Sequence, residues 1–108
     1  MVQFYGRHHD ANRAVGLRVL TAFLYLNEVE SGGETNFTEL PAVTASPRTG
    51  RLLMWSNVHD ADPRRRHLGA YHEARPVRAG VKYAANLWLQ QCPRGARHPS
   101  CVLKRDDE

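Results

Sequence analysis

The sequence predicts an all-β domain, and three observations support this fold class. Short runs of strand-forming residues are separated by glycine, proline and other turn residues. No long amphipathic helix is recognisable, and residues 20–26 are continuously apolar, as expected of a strand that is buried on both faces. The chain has 108 residues, of which 42% are apolar and 24% charged, so it has room for one folded core.

Seven strands are predicted along the chain, each bounded by turn residues. In order, they cover residues 2–10, 19–27, 36–40, 43–45, 51–56, 69–77 and 81–89. Tight turns between them are assigned to four glycines, Gly32, Gly33, Gly50 and Gly80. We expect one domain over residues 1–91, followed by a polar C-terminal tail over residues 92–108 that is disordered from residue 104 onward.

Two histidines and one carboxylate form the strongest candidate site. Because side chains alternate between the faces of a strand, His8 and Asp10 would point to the same side, while His9 would point away. One strand supplies only two neighbouring ligands to one ion, so the third ligand must come from elsewhere, and His72 is the candidate. Two imidazoles and a carboxylate make a facial set of iron ligands that leaves positions open for other molecules.

A lysine follows the last candidate ligand at a fixed spacing. We expect the last two predicted strands to form a hairpin that turns at Ala79, so that His72 pairs with Asn86. Lys82 then pairs with Pro76, and its pairing position lies about 13 Å from His72, at about 3.3 Å per residue. A lysine side chain that leans back toward the metal can cover about half of this distance, and a small dicarboxylate between the metal and the ammonium would span the rest. The same register puts four side chains on one face, namely His72, Lys82, Asn86 and Trp88, the last two at the cavity wall.

Five segments resemble the iron(II)- and 2-oxoglutarate-dependent oxygenases. Residues 3–10, which contain His8 and Asp10, look like the H-x-D segment of that family. Residues 72–88 look like the distal-histidine segment of the prolyl 4-hydroxylases in particular. Two further segments, 21–28 and 32–37, resemble the middle strands of the family, and residues 50–55 resemble a later one. Five segments in the right order, from residue 3 to about residue 90, make the resemblance specific, and the pattern is most similar to the plant and algal enzymes.

This resemblance implies a fold and a reaction. The fold is a double-stranded β-helix, a form of jelly roll. The chain starts so close to His8 that the usual N-terminal helices and first strand are expected to be missing. The implied reaction is hydroxylation of a peptide or protein substrate, most simply 4-hydroxylation of a prolyl residue in a proline-rich segment, with release of succinate and CO2.

The resemblance also implies cofactors and the residues that bind them. Fe(II) would be held by His8, Asp10 and His72. The cosubstrate 2-oxoglutarate would pair its far carboxylate with Lys82 and accept a hydrogen bond from Tyr25. O2 and ascorbate complete the set, and the family's usual compartment is the endoplasmic reticulum or secretory pathway.

Two other functions are consistent with the sequence. One is a non-catalytic jelly-roll module that binds a partner and keeps a vestigial metal site, and the other is a 2-oxoglutarate hydroxylase of a non-prolyl substrate. His67 is a rival of His72 for the third ligand, but no basic residue lies ten positions beyond it. His59 and His98 are interpreted as surface residues.

The charge and hydrophobic patterns limit the classes of partner that are expected. The net charge is +4 with a sequence pI near 9.5, and part of it lies in the run of arginines at residues 64–66. This run is interpreted as a solvated loop, or as a loop at the cavity mouth that steers an acidic or extended polypeptide. Nucleic-acid binding is not expected, because no aromatic-and-basic pattern recurs. No apolar run is long enough for a signal peptide or a membrane span.

Cys92 and Cys101 are the only cysteines in the chain. A disulfide and two free thiols are equally consistent with their spacing. The resemblance to a family of the secretory pathway favours the disulfide.

Overall fold

The computed structural model describes residues 5–13, 15–39, 43–93 and 95–107, and the regular structure there is almost entirely β-strand. The strands are β1 (Tyr5–His8), β2 (Arg18–Tyr25), β3 (Ser31–Gly32), β4 (Thr35–Phe37), β5 (Thr44–Ala45), β6 (Leu52–Ser56), β7 (His72–Ala74), β8 (Val77–Ala79) and β9 (Ala84–Gln90). Two short 3-10 helices cover Leu68–Ala70 and Pro99–Cys101. Within these ranges no helix has the length and apolarity that crossing a membrane requires. The prediction of an all-β fold is confirmed.

The strands pair into three antiparallel sheets. The first has the order β1-β7-β4-β5, the second has the order β6-β2-β9, and the third pairs β3 with β8. Strands that are distant in sequence are therefore neighbours in each sheet, as in a jelly roll. This arrangement agrees with the double-stranded β-helix expected from the resemblance.

The predicted hairpin between the last two long strands is wrong. β7 pairs with β1 and β4, whereas β9 pairs with β2 in another sheet, and the short β8 lies between them in sequence. Pro76 ends the first strand of the expected hairpin, because proline has no N–H to donate to the ladder. His72 is consequently the register partner of His8 and Phe37 instead of Asn86.

The other predicted strands are present with different ends. Residues 19–27 and 51–56 correspond to β2 and β6, and residues 43–45 correspond to β5. β1 and β4 end before the predicted limits at residues 10 and 40, while residues 1–4 and 40–42 lie outside the described residues. The sequence does not predict β3 and β8, because strands of two or three residues carry no periodic pattern.

A pair of glycines lets β3 approach β8 and the lysine that follows it. Gly32 has a φ of 83°, and a Cβ there would overlap the carbonyl oxygen of Pro76, so only glycine fits. A Cβ at Gly33 would lie 3.3 Å from Cδ of Lys82. The glycines therefore allow the Lys82 side chain to lie against this part of the backbone.

The buried apolar cluster includes a residue from the C-terminal tail. Leu103 is 4% exposed and packs with Ala11, Leu17 and Val58. A disulfide between Cys92 and Cys101 closes the segment before it, as the family resemblance favoured. The tail thus contributes to the core.

Polar contacts hold the tail beyond Leu103. Lys104 Nζ lies 2.5 Å from the Asp62 carboxylate, and Asp106 accepts from Arg66 at 2.5 Å. The expectation of a disordered end is therefore wrong for residues 104–107, because their charges are complementary to those of the loop around residues 62–66.

Candidate metal centre and its cavity

The three predicted ligands converge at one end of the β1–β7 pair. His8 is the last residue of β1, His72 is the first residue of β7, and the two are register partners. Asp10 Oδ1 lies 3.5 Å from Nε2 of each histidine. One ligand atom from each of the three residues lies within 4.8 Å of the others, which is a spacing that one metal ion can bridge.

Strand alternation is not the reason for this convergence. β1 ends at His8, and Asp10 lies in the bend that follows. His9 is not one of the clustered ligands, because both of its ring nitrogens bond to backbone groups that hold the bend. Its Nδ1 accepts from the backbone N–H of Ala11 at 3.0 Å, so its Nε2–H donates to the carbonyl of His67 at 2.9 Å. The bend brings the carboxylate back towards His8.

Both histidines present the same ring nitrogen to the centre. Nδ1 of His8 lies 2.8 Å from the carbonyl of Gly6, and Nδ1 of His72 lies 2.9 Å from the carbonyl of Ala70. Because a carbonyl only accepts, Nδ1 carries the proton in each ring. In the neutral ring, Nε2 keeps its lone pair and faces Asp10, so both imidazoles are oriented as metal ligands.

The two oxygens of the Asp10 carboxylate have different partners. Oδ2 accepts from the Thr21 hydroxyl at 2.7 Å and from Trp88 Nε1 at 3.4 Å, whereas Oδ1 faces the histidines. Burial raises the pKa of Asp10, but the contacts with His8 and Thr21 outweigh burial and bring it to about 2. Asp10 is therefore a carboxylate with one oxygen directed at the centre.

Aromatic rings surround His72. The Trp55 ring lies 4.9 Å from it, and the Phe37 ring lies 5.7 Å away. Burial among these groups lowers the pKa of His72, while the contact with Asp10 raises that of His8. Two imidazole nitrogens and one carboxylate oxygen, oriented in advance at a partly dry site, fit a divalent metal such as iron(II).

The ligands open into a cavity of about 1200 Å³ that is lined by residues from several strands. Three side chains predicted to share a face with His72 also line this cavity, namely Lys82, Asn86 and Trp88. Asn86 and Trp88 reach it from β9, whereas Lys82 lies in the connection before that strand. The four side chains therefore line one cavity but do not share the predicted strand face, because His72 and β9 belong to different sheets and Lys82 lies between strands.

Lys82 is the cation of this cavity that the sequence singled out. Its Nζ lies 5.4 Å from the Phe23 ring centre and 5.6 Å from the Tyr25 ring centre. Burial lowers the pKa of Lys82, and the negative charge of Glu34 opposes that change. Among the residues that the structure describes, Lys82 forms no ion pair, so its ammonium can receive an anionic group from outside the chain.

Tyr25 lies next to this cation but is fully buried. Its hydroxyl is 2.5 Å from Thr35 Oγ1 and also donates to the carbonyl of Ala45 at 3.3 Å. Burial raises the pKa of Tyr25. Thr35, which sequence reasoning did not single out, lines the cavity. Its position shortly after Gly33, within a segment that resembles the family, is the signal that could have indicated it.

Comparison with known proteins identifies the family. The family model described as the 2OG-Fe(II) oxygenase superfamily matches residues 1–90. The chain belongs to this superfamily. It is 34% identical to prolyl 4-hydroxylase subunit alpha-1 of Caenorhabditis elegans, over 85% of this chain and 16% of that protein. It is 31% identical to a putative prolyl 4-hydroxylase of Acanthamoeba polyphaga mimivirus, over 82% of this chain and 40% of that protein.

The solved structures support the same resemblance. A viral collagen prolyl hydroxylase from Paramecium bursaria Chlorella virus-1, in complex with 2-oxoglutarate, matches with a TM-score of 0.71 and 30% identity. The match covers 81% of this chain and 51% of that one. The resemblance to prolyl 4-hydroxylases and the jelly-roll fold are thus confirmed. The chain spans less than half the length of these two curated relatives and about half of the solved structure.

Two further side chains line the cavity of this oxygenase. The guanidinium of Arg18, at the start of β2, lies 3.9 Å from the Trp88 ring centre. Tyr5 is 74% exposed, and its ring lies 5.9 Å from that of His8. Sequence reasoning missed both residues, because neither has a recognisable partner along the chain.

Two arginines of the run at residues 64–66 have a different role from the substrate steering considered for a loop at the cavity mouth. Arg64 Nε donates to the carbonyl of Val102 at 2.8 Å, and Arg66 pairs with Asp106. Both side chains therefore bind the C-terminal tail, and the cavity lining draws its arginines from elsewhere in the chain. The interpretation of this run as a substrate-steering loop at the cavity mouth is wrong for Arg64 and Arg66, whose contacts with the tail are exposed to solvent.

The remaining histidines of the oxygenase lie outside the ligand cluster. His67 caps the 3-10 helix Leu68–Ala70, and its ring stacks on that of His59 at 5.1 Å. His98 caps the helix Pro99–Cys101. Among the described residues, the one cluster with metal-ligand spacing is the one formed by His8, Asp10 and His72.

Proposed function

We propose that the chain is an iron(II)- and 2-oxoglutarate-dependent dioxygenase that hydroxylates a prolyl residue of a peptide or protein at C4. The observation that carries this proposal is the meeting of His8, Asp10 and His72 in a cavity that also contains the ammonium of Lys82. Prolyl hydroxylases are among the relatives that the chain resembles. The balanced reaction joins the prolyl C–H, O2 and 2-oxoglutarate and yields hydroxyproline, succinate and CO2.

In this proposal the three converging residues hold the metal. Iron(II), when bound, would supply the activation of O2 that is coupled to decarboxylation of 2-oxoglutarate. Nε2 of His8, Nε2 of His72 and Oδ1 of Asp10 are the donor atoms. Three protein donors would leave other positions of the metal open for cosubstrate and O2.

Lys82 orients the cosubstrate. Its ammonium donates a charge-assisted hydrogen bond to the far carboxylate of 2-oxoglutarate. This hydrogen bond is stronger than it would be in water, because the lysine is half-buried. Thr35 has a hydroxyl at the cavity wall, and when Tyr25 donates to it at 2.5 Å, instead of to Ala45, the Thr35 proton is left for the cosubstrate. We therefore propose that Thr35, supported by Tyr25, makes the hydrogen bond to the far carboxylate that was predicted for Tyr25.

Part of the cavity wall suits an uncharged, ring-shaped side chain of a peptide. Trp88 and Tyr5 supply apolar ring surface, and Asn86 and Arg18 supply hydrogen-bond donors for peptide carbonyls. A proline-rich segment matches these groups, since its rings pack on aromatic surfaces and its carbonyls stay free.

The disulfide between Cys92 and Cys101 supports an oxidising compartment such as the endoplasmic reticulum for this enzyme. Ascorbate is proposed as the reductant that would keep a bound iron in the ferrous state. Without a bound substrate that accepts oxygen, an electron donor is needed to balance any oxidation of the metal.

Anaerobic addition of Fe(II) and then 2-oxoglutarate tests the proposal. We expect a weak visible charge-transfer band with the wild-type chain and its loss in His72→Ala, with His59→Ala as the control that keeps it. Proline-rich peptides should then stimulate release of succinate. Absence of the band at high protein concentration would leave a non-catalytic binding module, and stimulation by non-peptide acceptors alone would overturn the prolyl assignment.

A further inference from the structure

A chain of buried hydrogen bonds leads from Asp10 into the protein. Asp10 Oδ2 accepts from the Thr21 hydroxyl at 2.7 Å, and Thr21 Oγ1 accepts from Asn57 Nδ2 at 2.8 Å. Asn57 Oδ1 accepts in turn from Trp55 Nε1 at 2.9 Å. Thr21 and Asn57 are both fully buried, so each polar atom in the chain depends on these partners.

The direction of every proton in this chain is set by one group. The indole N–H of Trp55 can only donate, so the atom of Asn57 that faces it must be the amide oxygen. The amide nitrogen of Asn57 then faces Thr21 and donates to its hydroxyl oxygen. The Thr21 hydroxyl is left to donate its own proton to the Asp10 carboxylate.

At its other end, away from Asp10, this series of hydrogen bonds reaches a second proposed ligand. The Trp55 ring lies there, 4.9 Å from the His72 ring at an interplanar angle of 64°. The backbone N–H of Asn57 also donates to the carbonyl of Val19 at 3.0 Å, which anchors the residue to the segment of β2 that carries Thr21. A movement of Asn57 would therefore disturb the surroundings of Asp10 and of His72 together.

We propose that Trp55, Asn57 and Thr21 form a positioning relay for the metal centre. The relay occupies Oδ2 of Asp10 with a donor and leaves Oδ1 as the single oxygen for the metal, so that the carboxylate binds through one atom. A metal held through both oxygens would take up a position that the cosubstrate or O2 needs. This inference rests on the proposed function, and none of the three relay residues contacts the metal.

Binding of Co(II) alone, in the absence of 2-oxoglutarate, tests the relay without measuring turnover. Thr21→Val keeps the shape of the side chain and removes the hydroxyl, and Thr21→Ser keeps the hydroxyl and removes the methyl group. We expect Thr21→Val to weaken Co(II) binding by about 10- to 100-fold, as is typical when a partner of a metal ligand is removed. We expect Thr21→Ser to bind Co(II) with an affinity near the wild-type value.

The Co(II) absorption spectrum gives a second readout. In Thr21→Val, Oδ2 keeps only the longer contact with Trp88 Nε1 at 3.4 Å and can turn to join the metal, so the ligand-field bands should change, whereas in Thr21→Ser they should match those of the wild type. A role in packing alone predicts the reverse order, because only Thr21→Ser leaves a space. Equal affinity and equal spectra for Thr21→Val and the wild type would overturn the relay.

Trp55→Phe keeps a ring beside His72 and removes the N–H that directs the relay. The Asn57 amide is then free to turn, so Co(II) should bind more weakly than to the wild type but more tightly than to Thr21→Val. If Thr21→Val does not fold by near-ultraviolet circular dichroism, this variant decides, and an unchanged Co(II) affinity in it would overturn the relay. Failure of the wild-type chain to bind Co(II) would instead overturn the proposed function.

Discussion

The two faces of strand β2 differ in a way that reverses the usual division between inside and outside. On one face Thr21 and Tyr25 are fully buried, and both lie in polar hydrogen-bond networks. The other face carries Leu20, Ala22 and Leu24, none of which is fully buried.

Neighbouring strands extend the exposed face. Met54 and Leu87 are register partners of Ala22, and they are 59% and 62% exposed. Leu52, the partner of Leu24, and Leu89, the partner of Leu20, are also about half exposed. These four residues, Leu52, Met54, Leu87 and Leu89, are called the outer face below.

This difference shows that burial in the described residues follows the chemistry of the site. Buried polar groups are stable only when they are paired, and the residues around the metal centre pair with one another. The outer face has no such chemistry, and exposed apolar groups of this kind favour association. Substitutions on the two faces should therefore have separate consequences.

The largest effect is expected inside the cavity, at Lys82. Lys82→Ala removes a charge-assisted hydrogen bond to 2-oxoglutarate, which contributes about 1.5–3 kcal/mol, and should weaken cosubstrate binding by about 10- to 100-fold. Isothermal titration with 2-oxoglutarate and Mn(II) under anaerobic conditions measures this. Succinate, which has the same far carboxylate, should lose a similar factor.

Metal binding provides the control for the lysine variant. Affinity for Mn(II) alone should stay within about twofold in Lys82→Ala, because the lysine is not among the proposed ligands and a purely local change is normally additive with distant sites. Equal 2-oxoglutarate affinity in the wild type and the variant would contradict the assignment of Lys82.

A smaller effect on the site is expected from the outer face. The double substitution Met54→Lys and Leu87→Lys interrupts the exposed apolar surface. It should raise the highest concentration at which light scattering still detects a monomer. The Co(II) affinity of this double variant should be unchanged.

Trp88→Ala is the matched comparison, because Trp88 is next to Leu87 but lies on the opposite face. It should weaken Co(II) binding, because it removes a donor to Asp10. Equal losses from both substitutions would show that the faces are not independent.

The smallest effect is expected from the exposed carboxylates of the tail contacts. Lys104 lowers the pKa of Asp62, and Arg66 lowers the pKa of Asp106, in each case mainly through a hydrogen bond. Because these pKa values are lower in the folded chain, the contacts stabilise the tail above the usual aspartate pKa and are lost as the pH falls through the lowered values.

Limited proteolysis of the tail across an acid pH series, with an acid-stable protease, measures this loss. Cleavage after Leu103 should rise as the pH falls through the acid range, and Asp106→Asn should already show part of that rise at neutral pH. The exposed pair contributes little to stability, so the thermal midpoint should change by little. A tail that is equally protected at every pH would contradict the role of these contacts.

Sequence reasoning predicted the chemistry of the site better than the path of the chain. The choice of Lys82 as the cation rested on the family resemblance, because the hairpin register that also indicated it is absent. The donor types of His8, Asp10 and His72 follow from residue identity and spacing. The route by which they meet does not, because the expected hairpin is absent and His72 pairs with β1 and β4. Pairing between distant strands is set by packing that no local pattern records.

The contributions of single side chains divide in the same way. The sequence by itself determined an all-β chain with a two-histidine, one-carboxylate set and a lysine, since residue types and hydrophobic pattern are local properties. Only the tertiary structure decided that Thr35 and Arg18 line the cavity and that the tail is part of the core. It also decided which oxygen of Asp10 is free, because the hydrogen bonds that direct a carboxylate come from strands far apart in sequence.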